Sequence, residues 1–251
     1  MIRPFTVLCI VGVIGCARGA THESLMLQHI DARGGRAALE TLKVVERNGS
    51  FTFHGMSPEA KGTYHTCLKY PDRIVVDIDA GPVQVHQVLG DNGALECDKT
   101  FTHCSPAQPS VAEDLKNTAQ TANREELQGE VPAGTTVELI YEQSTPVGYR
   151  YKKGDRLVEA EFAPDTGLER RVKSGPRERL YGDWTDAGGV LIPRQIVDFN
   201  EGIKTVTIEL SEAKHTSLPS EWCLKRFAAQ PSGAQQVVPA DGPRAARSAH
   251  R

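Results

Sequence analysis

Three histidines, His54, His65 and His86, stand on segments in which apolar and polar residues alternate. Gathered at one site, three imidazoles would hold zinc. They could meet across a sheet, but spacing alone does not place them together, so solvent-facing strand histidines are the expectation. Cys97, His103 and Cys104 are near neighbours, but an adjacent His and Cys do not match the ligand spacing of a zinc finger. Asp77 and Asp79 share a strand face, as a pair of acid–base carboxylates must. They alternate with Ile74, Val76 and Ile78, and a solvated sheet face accounts for them without catalysis. Glu159 and Glu161 read the same way. The sequence carries no H-E-x-x-H, no G-x-S-x-G, no P-loop and no G-x-G-x-x-G that follows a strand and opens a helix. No catalytic residue, metal or cofactor is therefore assigned, and a hydrolase or metal enzyme built on the strand histidines is the least supported class.

The elements that position these residues are mostly strands. "ESLMLQHIDARGGRAALETLK" reads as a helix, a break at Gly34-Gly35, and a second short helix. The period then changes to two. "VVERNGSFTF", "GTYHTCLKY", "DRIVVDID" and "PVQVHQVL" follow in turn, separated by Tyr70-Pro71-Asp72, Ala80-Gly81-Pro82 and Asp91-Asn92-Gly93. Turns this short favour hairpins and antiparallel pairing. One helix interrupts, Ser110 to Gln128, with Ser110 as its N-cap and acids in its first turn. It covers part of the sheet or acts as a lid. Strands resume at "TTVELIYEQ" and run to "IKTVTIELSEAK". Within "DWTDAGGVLIPRQIVDF", Asp186-Ala187-Gly188-Gly189 is a hairpin turn. Pro193, which lacks a ladder donor, belongs early in the return strand where its nitrogen faces no partner. About a dozen strands in one strongly curved antiparallel sheet are predicted.

The 251 residues suffice for one large domain, and a net charge of −3 from interspersed acids and bases offers no stripe for nucleic acid. Residues 1–20 read as a signal peptide: Arg3, then an apolar run from Phe5 to Ile14, too short to span a bilayer. "VIGC" resembles the lipobox of bacterial lipoproteins, whose cysteine, here Cys16, carries the lipid. Ordinary cleavage after Ala17 or Ala20 is the alternative. Export makes disulfides the expected state of the remaining cysteines. Cys97 and Cys104 flank a hairpin tip and can close it, which leaves Cys67 and Cys223 by elimination. From Gln230 to Arg251 the chain has little to bury and reads as a disordered tail. That leaves residues 21–229 as one domain.

"ARGGRAALETLK" leading into the first strand, the "PDTGL" turn between two late strands, and the "YGDWTDAGGVLIP" hairpin feeding the final strand stand in a particular order. In this order the chain, from about residue 25 to residue 215, resembles the LolA/LolB-like periplasmic family, the outer-membrane lipoprotein-sorting proteins. The resemblance implies an α+β fold, mostly antiparallel β: an open half β-barrel covered by a few helices. It implies a non-enzymatic carrier or receptor in the periplasm or at the outer membrane, with acyl chains of lipids or lipoproteins on an apolar inner face. The segment "LGDNGALEC" lacks the tryptophan frequent there in the family, and the cysteines are not a family feature.

No ligand-contacting residue is transferred from that family. Alternation alone nominates a pocket lining of Ile74, Val76, Ile78, Val83, Val85, Leu89, Val137, Leu139, Tyr141, Val206, Ile208 and Leu210. The competing expectation is that the same side chains form a filled core, leaving an envelope structural or protein-interaction domain that works through a sheet edge. A monomer is expected, with an envelope protein as a further partner and membrane association through a lipid anchor if Cys16 is modified.

Overall fold

Hairpin connections, most of two to four residues and three of six, build one meandering sheet. The computed structural model describes residues 21–128, 131 and 134–232. The signal segment with Cys16, and the tail beyond Ser232, lie outside the described residues. The elements are α1 (His22–Ala32), α2 (Arg36–Glu40), β1 (Val44–Phe53), β2 (Ala60–Lys69), β3 (Arg73–Ala80), β4 (Val83–Gly90), β5 (Gly93–Cys97), β6 (Cys104–Pro106) and α3 (Pro109–Gln128). They continue with β7 (Val137–Glu142), β8 (Thr145–Lys153), β9 (Arg156–Phe162), β10 (Glu169–Ser174), β11 (Arg177–Asp186), β12 (Leu191–Asn200), β13 (Ile203–Thr216) and α4 (Glu221–Phe227).

The strands form a 13-stranded sheet in the order β6-β5-β4-β3-β2-β1-β13-β12-β11-β10-β9-β8-β7. Every neighbouring pair is antiparallel. Two meanders are thus fused at the β1–β13 ladder. β6 and β7 are the two ends of the strand order, and α3 carries the chain from one to the other. The sheet does not close, and this is the open half-barrel.

Helices occupy both faces. On the inner face, Ile30 of α1 and Leu39 of α2 join a core with Phe51, Ile78, Ile192, Ile208 and Leu210. Leu25 and Met26 of α1 pack on Tyr149, Ala160 and Phe162. Leu115 and Ala119 of α3 pack on Leu68, Ile74 and Leu89. On the outer face, Cys223 and Phe227 of α4 pack on Val44, Cys67, Val75, Val88 and Leu95. The disulfide Cys67–Cys223 bonds α4 to β2, and Cys97–Cys104 closes the β5–β6 hairpin.

The two double-glycine turns meet. Gly34 has φ +116°, and a Cβ there would stand 2.2 Å from the Gly189 carbonyl oxygen. Leu191 N–H donates to the Arg33 carbonyl, and Arg33 Nε donates back to the Leu191 carbonyl. The β11–β12 tip therefore docks on the α1–α2 corner, where a side chain would hold it off. Pro193 pairs with Trp184 of β11, while the β12–β13 ladder begins only at Gln195.

Candidate functional site: the apolar inner face

Cross-strand register puts the alternating residues side by side. Ile74 faces Leu89 and Leu68, Ile78 faces Val85 and Tyr64, and Ala80 faces Val83. Phe51 faces Ile208, and Phe53 faces Val206. The nominated residues divide in two. Ile74, Ile78, Leu89, Ile208 and Leu210 are buried under the helices or against the core. Val76, Val83, Val85 and Val206 are only partly buried; with Phe53, Tyr64 and Tyr181 they pack against the core as a partly exposed apolar strip. Val137 and Leu139 lie partly buried beside Tyr149 under α1. Tyr141 is 59% exposed, and the β7–β8 ladder shifts by one residue between Ile140 and Tyr141, so it leaves the apolar surface.

A charged pair shares the face of this strip. Val206 faces Asp198, which faces Arg179. Arg179 grips Asp198 through two hydrogen bonds, Nε at 2.6 Å and a terminal nitrogen at 2.8 Å. The Asp198 carboxylate raises the Arg179 pKa and holds the guanidinium charged. Two open depressions are also present, the first of them reaching Tyr181. One of about 360 Å³ is lined by residues including Arg171, Leu180 and Val197, and one of about 330 Å³ by residues including Glu138, Arg150 and Leu157.

The residues with potential chemistry mostly line the other face. His65 faces Asp77, which faces His86. Two of the three strand histidines therefore do meet, around one carboxylate. His54 stands apart, bonded to Glu59 at 2.6 Å and to Thr207 at 2.9 Å. The expectation of solvent-facing histidines needs correction: His86 is 7% exposed and His65 lies under Trp222. The cause is α4, which the alternation analysis did not find. Seven residues are too few to show a helical period, although Ser220 as N-cap with Glu221 behind it marks the start. The His65–Asp77–His86 row was itself deducible, because two short turns fix the register of β2, β3 and β4.

The other nominated groups form structural pairs. Asp79 bonds Lys99, and His103 bonds Asp98 beside the Cys97–Cys104 bridge. Glu159 and Glu161 surround Arg171, which also bonds Glu178. Among the described residues no group of three or more His, Cys, Asp or Glu side chains could hold a metal ion. Of the tail, Pro231 and Ser232 are in place: Pro231 bridges to Cys104, and Ser232 N–H donates to the Cys104 carbonyl.

Solved structures resemble this open antiparallel half-barrel with helices on its inner face. The chain is similar to a DUF1329 family protein from Desulfovibrio piger, at 11% identity and a TM-score of 0.53, over 83% of this chain and 99% of that one. It is also similar to a LolA superfamily protein from Nitrosomonas europaea, at 12% identity and a TM-score of 0.49, over 80% of this chain and 96% of that one. The first of these likenesses carries the comparison, and at such identity it speaks for the fold alone. No family model matches the sequence, and no curated protein matches it.

Proposed function

We propose that the protein is a non-enzymatic cell-envelope carrier or receptor that holds acyl chains of lipids or lipoproteins on the partly exposed apolar strip of the inner face. The supporting observation is the row Val76, Val83, Val85 and Val206, apolar side chains left partly open beside a packed core. Each methylene moved from water onto such a surface contributes about 0.8 kcal/mol. A short run of chain then gives useful affinity without any polar contact. The Arg179–Asp198 pair on the same face marks where apolar lining ends and a polar headgroup would meet water. Residues 1–20 serve as the export signal, residues 21–229 as one domain, and Cys16 as the lipidated residue that holds the protein at the membrane. No described helix is long and apolar enough to cross a bilayer, so this reading gives anchorage to that lipid.

The competing reading, a filled-core interaction domain, draws on the tightly packed part of the same face, where Leu39 and Ala80 are 0% exposed. Native mass spectrometry with lipid extraction separates the two. The carrier reading expects co-purifying lipid at a stoichiometry near one. Bare protein, together with no uptake of added fatty acid, would favour the filled core.

A further inference from the structure

An antiparallel meander sends alternate turns to opposite ends of the sheet, and in the β7–β13 half the two ends differ in charge. Lys153 pairs with Arg156, Val158 with Ser174, Ser174 with Arg177, Arg177 with Asn200, and Asn200 with Ile203. The β8–β9, β10–β11 and β12–β13 turns therefore stand side by side at one end. Over 152–157, 174–177 and 201–204 they hold five cations, Lys152, Lys153, Arg156, Arg177 and Lys204, against two carboxylates, Asp155 and Glu201. The turns of the other end, 142–145, 163–168 and 186–191, hold Glu142, Asp165 and Asp186 and no cation. Lys152, Arg156, Arg177 and Lys204 are exposed and make no ion pair among the described residues. Deeper in the same strands the arginines are paired, Arg150 with Glu138, Arg171 with Glu161 and Arg179 with Asp198. On the adjoining turns Lys61 pairs with Glu59 and Lys99 with Asp79, which leaves those turns neutral. Apolar side chains stand among the unpaired cations. Leu157, opposite Lys152, is 42% exposed, and Ile203 is 69% exposed.

The apolar strip runs out at this same end. Phe53 pairs with Val206 and with Ala60, Thr63 with Asp79, and Ala80 with Val83, so Val206 and Val83 lie beside the β12–β13 and β3–β4 turns. We propose that the three cationic turns are a docking surface for a bilayer that contains anionic lipid, and that docking brings the end of the strip to the headgroup layer. The purpose of this surface rests on the acyl-carrier reading; its geometry does not. Anionic headgroups complement the unpaired cations, and each cation near such a surface adds to the attraction. Leu157 and Ile203 between them are side chains of the kind that enter the interface once charge has brought them there. An acidic protein surface would answer the charge alone.

The test is partition of the purified protein between buffer and vesicles of phosphatidylcholine, alone or mixed with phosphatidylglycerol. The ratio of the two affinities cancels any contribution of a lipid on Cys16. Wild type should prefer the anionic vesicles by about tenfold or more at low salt, and the preference should shrink as salt rises. Lys152→Glu/Arg177→Glu should bring the ratio to one or below. Arg36→Glu/Lys43→Glu makes the same change of net charge at exposed positions near the opposite end and should leave the ratio as it is. An environment-sensitive dye on Ile203→Cys should brighten with anionic vesicles, and one on Asp165→Cys should not. A wild-type ratio near one, an equal fall in both double variants, or the reverse dye pattern would overturn the inference. The two readings fail separately. A protein that prefers anionic vesicles but takes up no fatty acid keeps the docking surface and loses the carrier reading. One that takes up fatty acid with a ratio near one keeps the carrier reading and loses the docking surface.

Discussion

Removing each disulfide in turn separates two roles that bridging gives to the same residue type. Cys67–Cys223 spans 156 residues, whereas Cys97–Cys104 spans 7. A cross-link stabilises largely by restricting the unfolded chain, and the effect grows with the logarithm of the loop. At 25 °C the long closure is worth about 5 kcal/mol and the short one about 2.5 kcal/mol. The long bridge also sits where both sulfurs are fully buried, packed with Val75, Val88 and Phe227. The pair Cys67→Ala/Cys223→Ala should therefore lower the melting temperature by roughly 10–20 °C, and Cys97→Ala/Cys104→Ala by roughly 5–10 °C. Urea unfolding followed by tryptophan fluorescence gives the free energies directly, and both variants should show larger m-values because their unfolded chains expand. An equal cost for the two bridges would refute the loop-length argument. A loss below about 1 kcal/mol for the long bridge would do the same.

Two further outcomes follow from single positions. Gly34→Ala should cost more than Gly35→Ala, although both have positive φ. The added Cβ at 34 strikes the Gly189 carbonyl, while at 35 it meets open space. Backbone strain of about 1 kcal/mol is expected at 35, and about 3 kcal/mol or more at 34, read as a difference in urea midpoints. Asp98 is held well below the ordinary carboxylate range, first by His103 and then by Thr100 and the backbone of the tip. Its contribution is present above the usual Asp value of 3.8 and is lost only as pH falls through the lowered value. A carboxyl-carbon NMR titration should find Asp98 still ionised after the exposed aspartates have protonated. Titration together with them would contradict the tip geometry.

Much of the fold was legible in local pattern. Gly34-Gly35 marked the break between α1 and α2, period-two alternation marked the strands, and Asp186 to Gly189 marked the β11–β12 turn. The Cys97–Cys104 bridge was readable because a short tip brings its ends together. The meeting of β1 with β13 was not, because residues that far apart leave no periodic trace. Nor was α4, whose place is set by Cys67 and by the apolar patch of Val75 and Val88, not by its own seven residues. Alternation put Ile74, Val85 and Ile208 on one face, but it could not divide that face into buried core and partly exposed strip. Helices arriving from elsewhere in the chain make that division, with α1 and α2 covering Leu210 and leaving Val83 partly open. Tyr141 was misplaced because a register shift in an edge strand is invisible to a strict period of two.

The central claim is that the partly open half of the inner face takes up acyl chains. Titration of purified protein with a fluorescent fatty acid tests it most directly, with wild type set against Val85→Asp and Val206→Asp. Saturable binding by wild type is predicted, with at least a tenfold loss in each variant while circular dichroism stays unchanged, since a carboxylate in an apolar lining is poorly solvated. Binding that is absent in wild type, or equal in all three proteins, would contradict the account.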